Sequence, residues 1–393
     1  MAGKKKKTGK RKKRGFPKAL AAVSAVLLAG LAGLLLYMYL KDDGLSTAVP
    51  VYEEIHAAVP RLDRQIRGVN RAIYESLYRH KTPEEDIRFL RVQSRCRQEH
   101  RWDFTELLVT CRRRVDVVKL AETLDNALRT LAPSVEFEKT ALKEGQVGYR
   151  ISSLGLETHR LILSRERSKR AVVKRPRVAI IIDDLGHDPK VASSLMNLGL
   201  PLTLSVLPYA PFSRSIAREA LEKGFELLLH VPMEPKGYPS VHPGPGALLL
   251  SMKEGEIHTA LRSILDEIPG AAGVNNHMGS MFTENRAKMR IVLRELKRRN
   301  LFYVDSRTTS RTVGYEMALD MGIPTASRSV FLDNDLESVA IRVQIDRLKG
   351  LARHSGNAVG IAHPFRETLE VLRKSAPSMS SELDLVPVSE LLN

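Results

Sequence analysis

Cysteine is nearly missing from this chain. Cys96 and Cys111 are the only two in 393 residues, so a disulfide-stapled scaffold and a cysteine-ligated zinc site are both excluded. Acidic residues are missing altogether from residues 1–40, which hold ten Lys and Arg. The formal net charge is +17, of which +10 lies in those residues, +5 in residues 41–170 and only +2 in residues 171–393. The basic character is therefore a property of the N-terminal tail, and no nucleic-acid partner is expected. Long uncharged apolar runs are scarce too, with one exception at residues 19–40. Ordinary core material is plentiful: 43% hydrophobic residues rule out a wholly disordered chain, and the length suits two folded domains or one large domain with appendages.

The exception decides what the tail means. Residues 19–40 are rich in Leu, Ala and Val and carry no charged side chain. As a helix they would span about 30 Å, the thickness of a bilayer's hydrocarbon. Tyr37 and Tyr39 stand at the outer end, where aromatic rings favour the interface. By the positive-inside rule, residues 1–18 form a basic cytoplasmic tail and residues 19–40 are a single-pass anchor in the inner membrane. The bulk of the chain, beyond Lys41, then lies in the periplasm. A cleaved signal peptide is the competing reading, but its apolar region is usually shorter, and no convincing small-x-small site precedes Pro50. In an oxidising compartment Cys96 and Cys111, on two neighbouring strand-like runs, could pair. Two half-buried small residues are the equal alternative.

After a spacer at 41–50, residues 51–165 read as a small α+β domain. Helical spacing covers 51–78 and 115–131, and strand-like runs lie at 87–98, 102–111, 135–139, 148–153 and 157–164. Nothing there clusters His, Asp, Glu or Ser, so a spacing or partner-binding module is expected. Residues 166–176 form a polar linker ending at Pro176. Over 177–393 apolar strands at 178–182, 202–207, 225–229, 272–274, 302–304 and 358–362 alternate with helical segments. That alternation predicts an α/β domain of parallel strands buried on both faces, as an open sheet or a barrel.

The polar residues of interest end those strands. Asp183 and Asp184 close the first and His230 the third; Asn275, Asn276 and His277 follow 272–274. Asp305, Ser306 and Arg307 follow 302–304, and His363 closes the last. In a parallel α/β barrel the C-terminal strand ends converge on one mouth. Carboxylates and imidazoles without a thiol are the donor set of a hydrolytic zinc-type site. Adjacent carboxylates can divide the labour, one holding a cation and the other acting as base toward the water that the cation acidifies. A network of helix caps and hydrogen bonds is the competing reading.

Taken in order, IIIDDLG at 180–186, LTLSVLP at 202–208, HVPMEP at 230–235 and VNNHMGS at 274–280 resemble the divergent polysaccharide deacetylase family. FYVDSRT at 302–308, VFLDN at 330–334 and GIAHP at 360–364 complete the pattern, which covers about residues 177–393 and leaves 51–165 unaccounted for. The family is similar to carbohydrate esterase family four. The resemblance therefore implies a distorted (β/α) barrel, a divalent metal (zinc is expected) and removal of acetyl groups from a glycan. Carried over by position, Asp183 is the catalytic base, Asp184 the first metal ligand and His230 the first histidine of a His-x-x-x-His motif. Glu234 stands where the second histidine would be, and its oxygen weakens the preference for zinc. Asn275, Asn276 and His277 replace the Arg-Pro-Pro-Tyr segment of typical deacetylases, which makes His277 the replacement ligand. Asp184, His230 and His277 are the expected triad, with Glu234 the alternate, and His363 matches the general acid of the last strand. Asp305 and Arg307 are further site candidates; Arg307 contacts sugar hydroxyls or belongs to a helix cap. The function implied is a membrane-anchored, metal-dependent hydrolase that deacetylates peptidoglycan or another envelope polysaccharide. The alternative is a catalytically silent protein of the same fold that binds glycan or a protein partner. Only 5% aromatic residues favours that alternative, or a metal-dependent hydrolase of a different bond such as an amidase, because sugar grooves want stacking rings.

Overall fold

The computed structural model describes residues 61–393 apart from 84–85, 98–99, 113–114, 143–144 and 166–174. The basic tail, the anchor expected at 19–40 and the first part of the 51–78 helix lie outside the described residues. Among the described residues, no helix is long and apolar enough to cross a membrane.

The first sheet and its helices run α1 (Arg61–Arg79), β1 (Ile87–Arg97), β2 (His100–Thr110), α2 (Val117–Arg129), β3 (Val135–Ala141), β4 (Gln146–Ser153) and β5 (Leu156–Ser164). The strand order is β1-β2-β5-β4-β3, with β2 and β5 parallel and the other pairs antiparallel. Val69, Ile73 and Leu77 of α1 and Leu120, Leu124 and Leu128 of α2 recur every fourth residue, so each helix turns one apolar stripe to the sheet. Asp116 caps α2 by accepting the Val118 and Lys119 N–H groups at 2.9 and 3.4 Å. The β1–β2 register rules out the cysteine pairing considered above. Cys96 faces Arg101 near the turn, whereas Ile87 faces Val109 at the far end, beyond which Cys111 lies. About 30 Å of extended chain separates the two at roughly 3.3 Å per residue, and a disulfide cannot bridge Cα atoms more than about 7 Å apart. Cys111 is a buried free thiol, pushed up to about 11 chiefly by burial.

The second sheet begins with β6 (Arg177–Leu185), α3 (Pro189–Met196), β7 (Thr203–Val206), α4 (Ser213–Glu222) and β8 (Glu226–Met233). It continues through α5 (Glu254–Glu267), β9 (Gly273–Met278), α6 (Arg286–Arg298), β10 (Phe302–Asp305), α7 (Gly314–Asp320) and β11 (Thr325–Ser327). It ends with β12 (Val330–Phe331), α8 (Ser338–Ser355), β13 (Asn357–Ala362), α9 (Arg366–Glu382) and β14 (Asp384–Leu385). All its strands are parallel, in the order β11-β10-β9-β8-β7-β6-β13-β12, and β14 pairs with the first residues of β6. Among the described residues no ladder joins β11 to β12, so the sheet is an open half-barrel rather than a closed barrel.

Alternation sorts the strand residues into two buried clusters. Ile180, Ile182, Leu229, Val231, Val274 and Tyr303 face the helices. Their neighbours Ala179, Ile181, Leu228, Val304, Val359 and Ile361 form a separate inner cluster, which requires the sheet to curl round it. The C-terminal segment plugs that interior with Val388 and Leu391. Val388 N–H donates to Thr203 Oγ1 at 3.0 Å, and Asn393 and Thr325 exchange backbone hydrogen bonds at 2.9 and 3.2 Å.

The α+β module meets the half-barrel along α8. Val343 of α8 belongs to the module's own apolar cluster. Gly350 lets the helix approach closely, since a Cβ there would lie 2.2 Å from the Phe89 ring. Arg71 pairs with Asp335 at 2.8 Å, Arg347 pairs with Asp103, and Tyr78 donates to Asp346 at 3.3 Å.

Candidate metal centre

The alternation that separates the two clusters continues past the apolar part of each strand and decides which polar side chains enter the mouth. Asp183, His230, Asn275, His277 and His363 share the parity of the inner cluster. Asp184 does not, and in a regular strand it would point away from Asp183. A β-bulge between Ile182 and Leu185, opposite Leu204 and Val206, inserts one residue here, and Asp184 takes a left-handed φ of 57°. Aspartate tolerates that conformation better than most residues, and the twist brings both carboxylates to one site. Gly186 follows at φ 140°, where a Cβ would strike Ala210 Cβ at 2.8 Å. Three more strand ends turn through left-handed residues: Tyr209, Met278 and Arg307.

Asp184 Oδ1 lies 3.1 Å from His230 Nε2 and 2.8 Å from His277 Nδ1, and the two imidazole nitrogens are 3.3 Å apart. All three residues are buried, and one donor atom from each lies within 4.8 Å of the others. Asn275 sets their chemistry from one residue's width away, being the cross-strand neighbour of His230. Its Nδ2 donates to Asp183 Oδ1 at 2.8 Å and to Ser306 Oγ at 3.3 Å. Its Oδ1 accepts from Ser205 Oγ at 2.6 Å and faces His230 Nδ1 at 2.8 Å. An ionised Asp183 can only accept, so it fixes the amide's orientation. The amide oxygen in turn requires a proton on His230 Nδ1, which leaves the Nε2 lone pair directed at the cluster. Burial alone would lift the Asp184 carboxyl; His277 and His230 outweigh it and hold that carboxyl well below the usual carboxylate range. Asp183 Oδ2 looks onto the same point, 3.7 Å from His230 Nε2.

His363 closes the opposite side, its Nε2 4.0 Å from Asp184 Oδ2. Asp333 holds it on two counts. Asp333 Oδ1 lies 2.8 Å from His363 Nδ1, and Oδ2 accepts the His363 backbone N–H at 2.6 Å and Thr368 Oγ1 at 2.8 Å. The carboxylate thus keeps the Nδ1 proton in place and supports positive charge on the ring. Phe331 stacks on His363 with centroids 5.8 Å apart, and the Arg328 guanidinium sits 3.7 Å over Phe331.

Other strand-end candidates serve the scaffold. Asn276 and Asp305 have the parity of the helix-facing cluster. Asn276 Oδ1 accepts Tyr303 Oη at 3.1 Å and Ser306 N–H at 3.0 Å. Asp305 accepts Thr312 Oγ1 at 2.7 Å and the N–H groups of Arg307 and Tyr315 at 2.9 Å, holding the loop that leads into α7. Burial pushes its carboxyl up. Arg307 reaches the Arg328 carbonyl at 3.5 Å. Glu234 lies beyond the end of β8 and spends Oε2 on the Leu250 N–H at 2.6 Å, so it is not in the cluster expected to admit it as an alternate ligand. Asp333 and Ser205 were not singled out from the sequence; Ser205 alternates with Leu204 and Val206 and so has inner parity, and Asp333 lies within the VFLDN segment at 330–334.

The donor set fits a divalent cation. One carboxylate oxygen and two imidazole nitrogens converge from β6, β8 and β9 without a lysine or arginine among them, with the tautomer of His230 set for ligation. With Asp183 and His363 on either side, the arrangement can take a proton on one flank and supply one on the other.

Residues 180–392 match the divergent polysaccharide deacetylase family. An uncharacterized protein of Escherichia coli (strain K12), YibQ, is 35% identical over 217 residues, covering 55% of this chain and 67% of its own length. An uncharacterized protein of Haemophilus influenzae is 29% identical over 215 residues, covering 55% of this chain and 76% of that protein. The crystal structure of the uncharacterized protein ATU2773 of Agrobacterium tumefaciens C58 aligns with a TM-score of 0.53 and 26% identity, over 56% of this chain and 91% of that one. Through its half-barrel, the chain belongs to the divergent polysaccharide deacetylase family.

Proposed function

We propose that the protein is a metal-dependent hydrolase that removes acetyl groups from an envelope polysaccharide, with Asp184, His230 and His277 holding the cation. The observation that carries this reading is the convergence of that buried triad with Asp183 on one flank and the Asp333–His363 pair on the other. A divalent ion held there would supply Lewis acidity toward an acyl oxygen and would acidify water. The side chains divide the remaining work. Asp183, kept acceptor-only by Asn275, takes the proton from the attacking water. The oxygen of that water bonds to the acetyl carbon as the C–N bond breaks. His363, protonated on Nε2 and steadied by Asp333, gives its proton to the departing nitrogen, leaving acetate and a free amine. Zinc is the ion we expect, because two of the three donors are imidazole nitrogens.

We further propose that residues 19–40 anchor the chain in the inner membrane and that the half-barrel faces the periplasm. The support is the uncharged apolar run and the ten basic residues before it. Acetate release from acetylated chito-oligosaccharides and from peptidoglycan tests the chemistry. Release by the full chain that disappears in Asp183→Asn supports a hydrolase; a metal-loaded wild type that releases none would favour a glycan-binding role. A reporter fused after Asn393 tests the topology, since it should be active only outside the cytoplasm.

A further inference from the structure

We propose that the cleft between α1 and the β12–α8 segment is a second sugar subsite, holding a unit of the same glycan whose acetylated unit lies at the metal centre. The inference rests on the glycan reading above and extends it to polymer length and to the α+β module.

The cleft has a volume of about 250 Å³, a little under the roughly 300–1,000 Å³ of pockets for drug-sized ligands, which leaves room for about one ring. Its charged lining is mixed: Asp63, Asp103 and Asp335 stand among Arg67, Arg71, Arg328 and Arg347. With four arginines to three aspartates, and two of the arginines already paired, a compact anion or cation finds little net attraction. Sugar hydroxyls, each a donor and an acceptor, match such a wall. The ion pairs are also ready-made. Arg71–Asp335 and Arg347–Asp103 run from the module to the half-barrel, and Arg67 donates to the Asn334 carbonyl at 3.3 Å. Pre-paired groups in fixed positions lower the ordering cost of binding. Ile66, Val339 and Val343 supply the apolar surface that the C–H face of a pyranose needs.

Phe331 ties the cleft to the reaction. It lines the cleft while its ring stacks on His363, whose Nε2 is 4.0 Å from Asp184 Oδ2. Arg328, also at the cleft, holds Phe331 from the other face and donates to the Ser306 and Arg307 carbonyls at 2.6 and 2.8 Å. One aromatic ring thus stands between the two positions and links them, with its faces held by His363 and Arg328. The cleft exists only where α1 meets the half-barrel, and this gives residues 61–165 a part in substrate binding.

The test is calorimetric binding of N-acetylated chito-oligosaccharides of two and five sugars to the purified full chain. The five-sugar probe should bind about tenfold or more tighter than the two-sugar probe, about 1.4 kcal/mol. Ala340→Trp, which fills the cleft from α8, should bring the five-sugar affinity down to the two-sugar value with metal content unchanged. Gln344→Ala, a milder change in the same wall, should cost a few-fold for the long probe alone and carries the test if the tryptophan variant does not fold. Equal affinities in the wild type, no binding of the five-sugar probe, or long-probe affinity untouched by both variants would overturn the subsite. Acetate release is a separate readout. An inactive chain that still discriminates by length keeps the subsite and loses the hydrolase, and an active chain blind to length does the reverse.

Discussion

The two folded regions bury histidines equally well and put them to different use. In the α+β module His159 is fully buried on β5, with Thr158 Oγ1 at 2.9 Å and Asn70 Oδ1 at 3.1 Å as its neutral partners. Burial pushes its pKa down to about 3, and Arg347 pushes the same way. It is a neutral packing group. In the half-barrel His230 and His363 are just as buried, but each faces carboxylates: Asp184 and Asp183 for the first, Asp333 for the second. Position along the strand does not separate them: His230 lies within β8 as His159 lies within β5, and only His363 stands past a strand's last residue. Burial of a histidine says little about chemistry; the charge of its neighbours says more.

The contrast can be broken in order of expected effect. Asp333→Asn leaves the three donors in place but removes the charge behind His363, so kcat for acetate release should fall about 10²–10⁴-fold. Bound metal should stay at the wild-type level, which mass spectrometry of the eluted ion would check. Asn275→Ala removes the amide that sets the His230 tautomer and should weaken metal binding about 10–100-fold in a competition titration with a chelating dye. Asp305→Ala strips a strand-end carboxylate of helix-facing parity. It should cost about 1–3 kcal/mol in urea unfolding by orphaning buried donors, with metal stoichiometry unmoved; a loss of metal would place Asp305 in the site.

The other side of the contrast is tested in the module. His159 stays neutral in the folded chain down to about 3, whereas the unfolded chain protonates it near 6.5. The unfolded state therefore binds the extra proton below pH 6.5, and stability falls as pH drops toward 3, by up to ~1.4 kcal/mol per pH unit. His159→Gln should flatten the difference between urea midpoints at pH 7 and pH 5. An identical drop in the variant would show that the acid sensitivity lies elsewhere.

Much of this was legible because the apolar runs of the half-barrel are strand-length and five of the six end in a polar cluster. The alternation of parallel strands with helices and the five clusters follow from that alone. What the sequence hid has separate physical causes. A bulge leaves no trace in an alternating pattern, so the turn that brings Asp184 beside Asp183 became visible only in the backbone. Strands β11 and β12 are three and two residues long, too short to read, and without them the sheet's open edges could not be foreseen. Glu234 kept the spacing of a ligand, but the chain doubles back and Leu250 claims it. Cys96 and Cys111 sat on adjacent strands as expected, and only the register showed them at opposite ends. Asn276 and Asp305 are the instructive pair. Counting in twos from Val274 and Tyr303, which pack against helices, would have turned both away from the mouth.

The metal content of the purified full chain, beside that of His277→Ala, tests the central claim most directly. One equivalent of divalent metal in the wild type and a clear loss in His277→Ala are the predicted results. No bound metal in the wild type, or an undiminished equivalent without the His277 imidazole, would contradict the account.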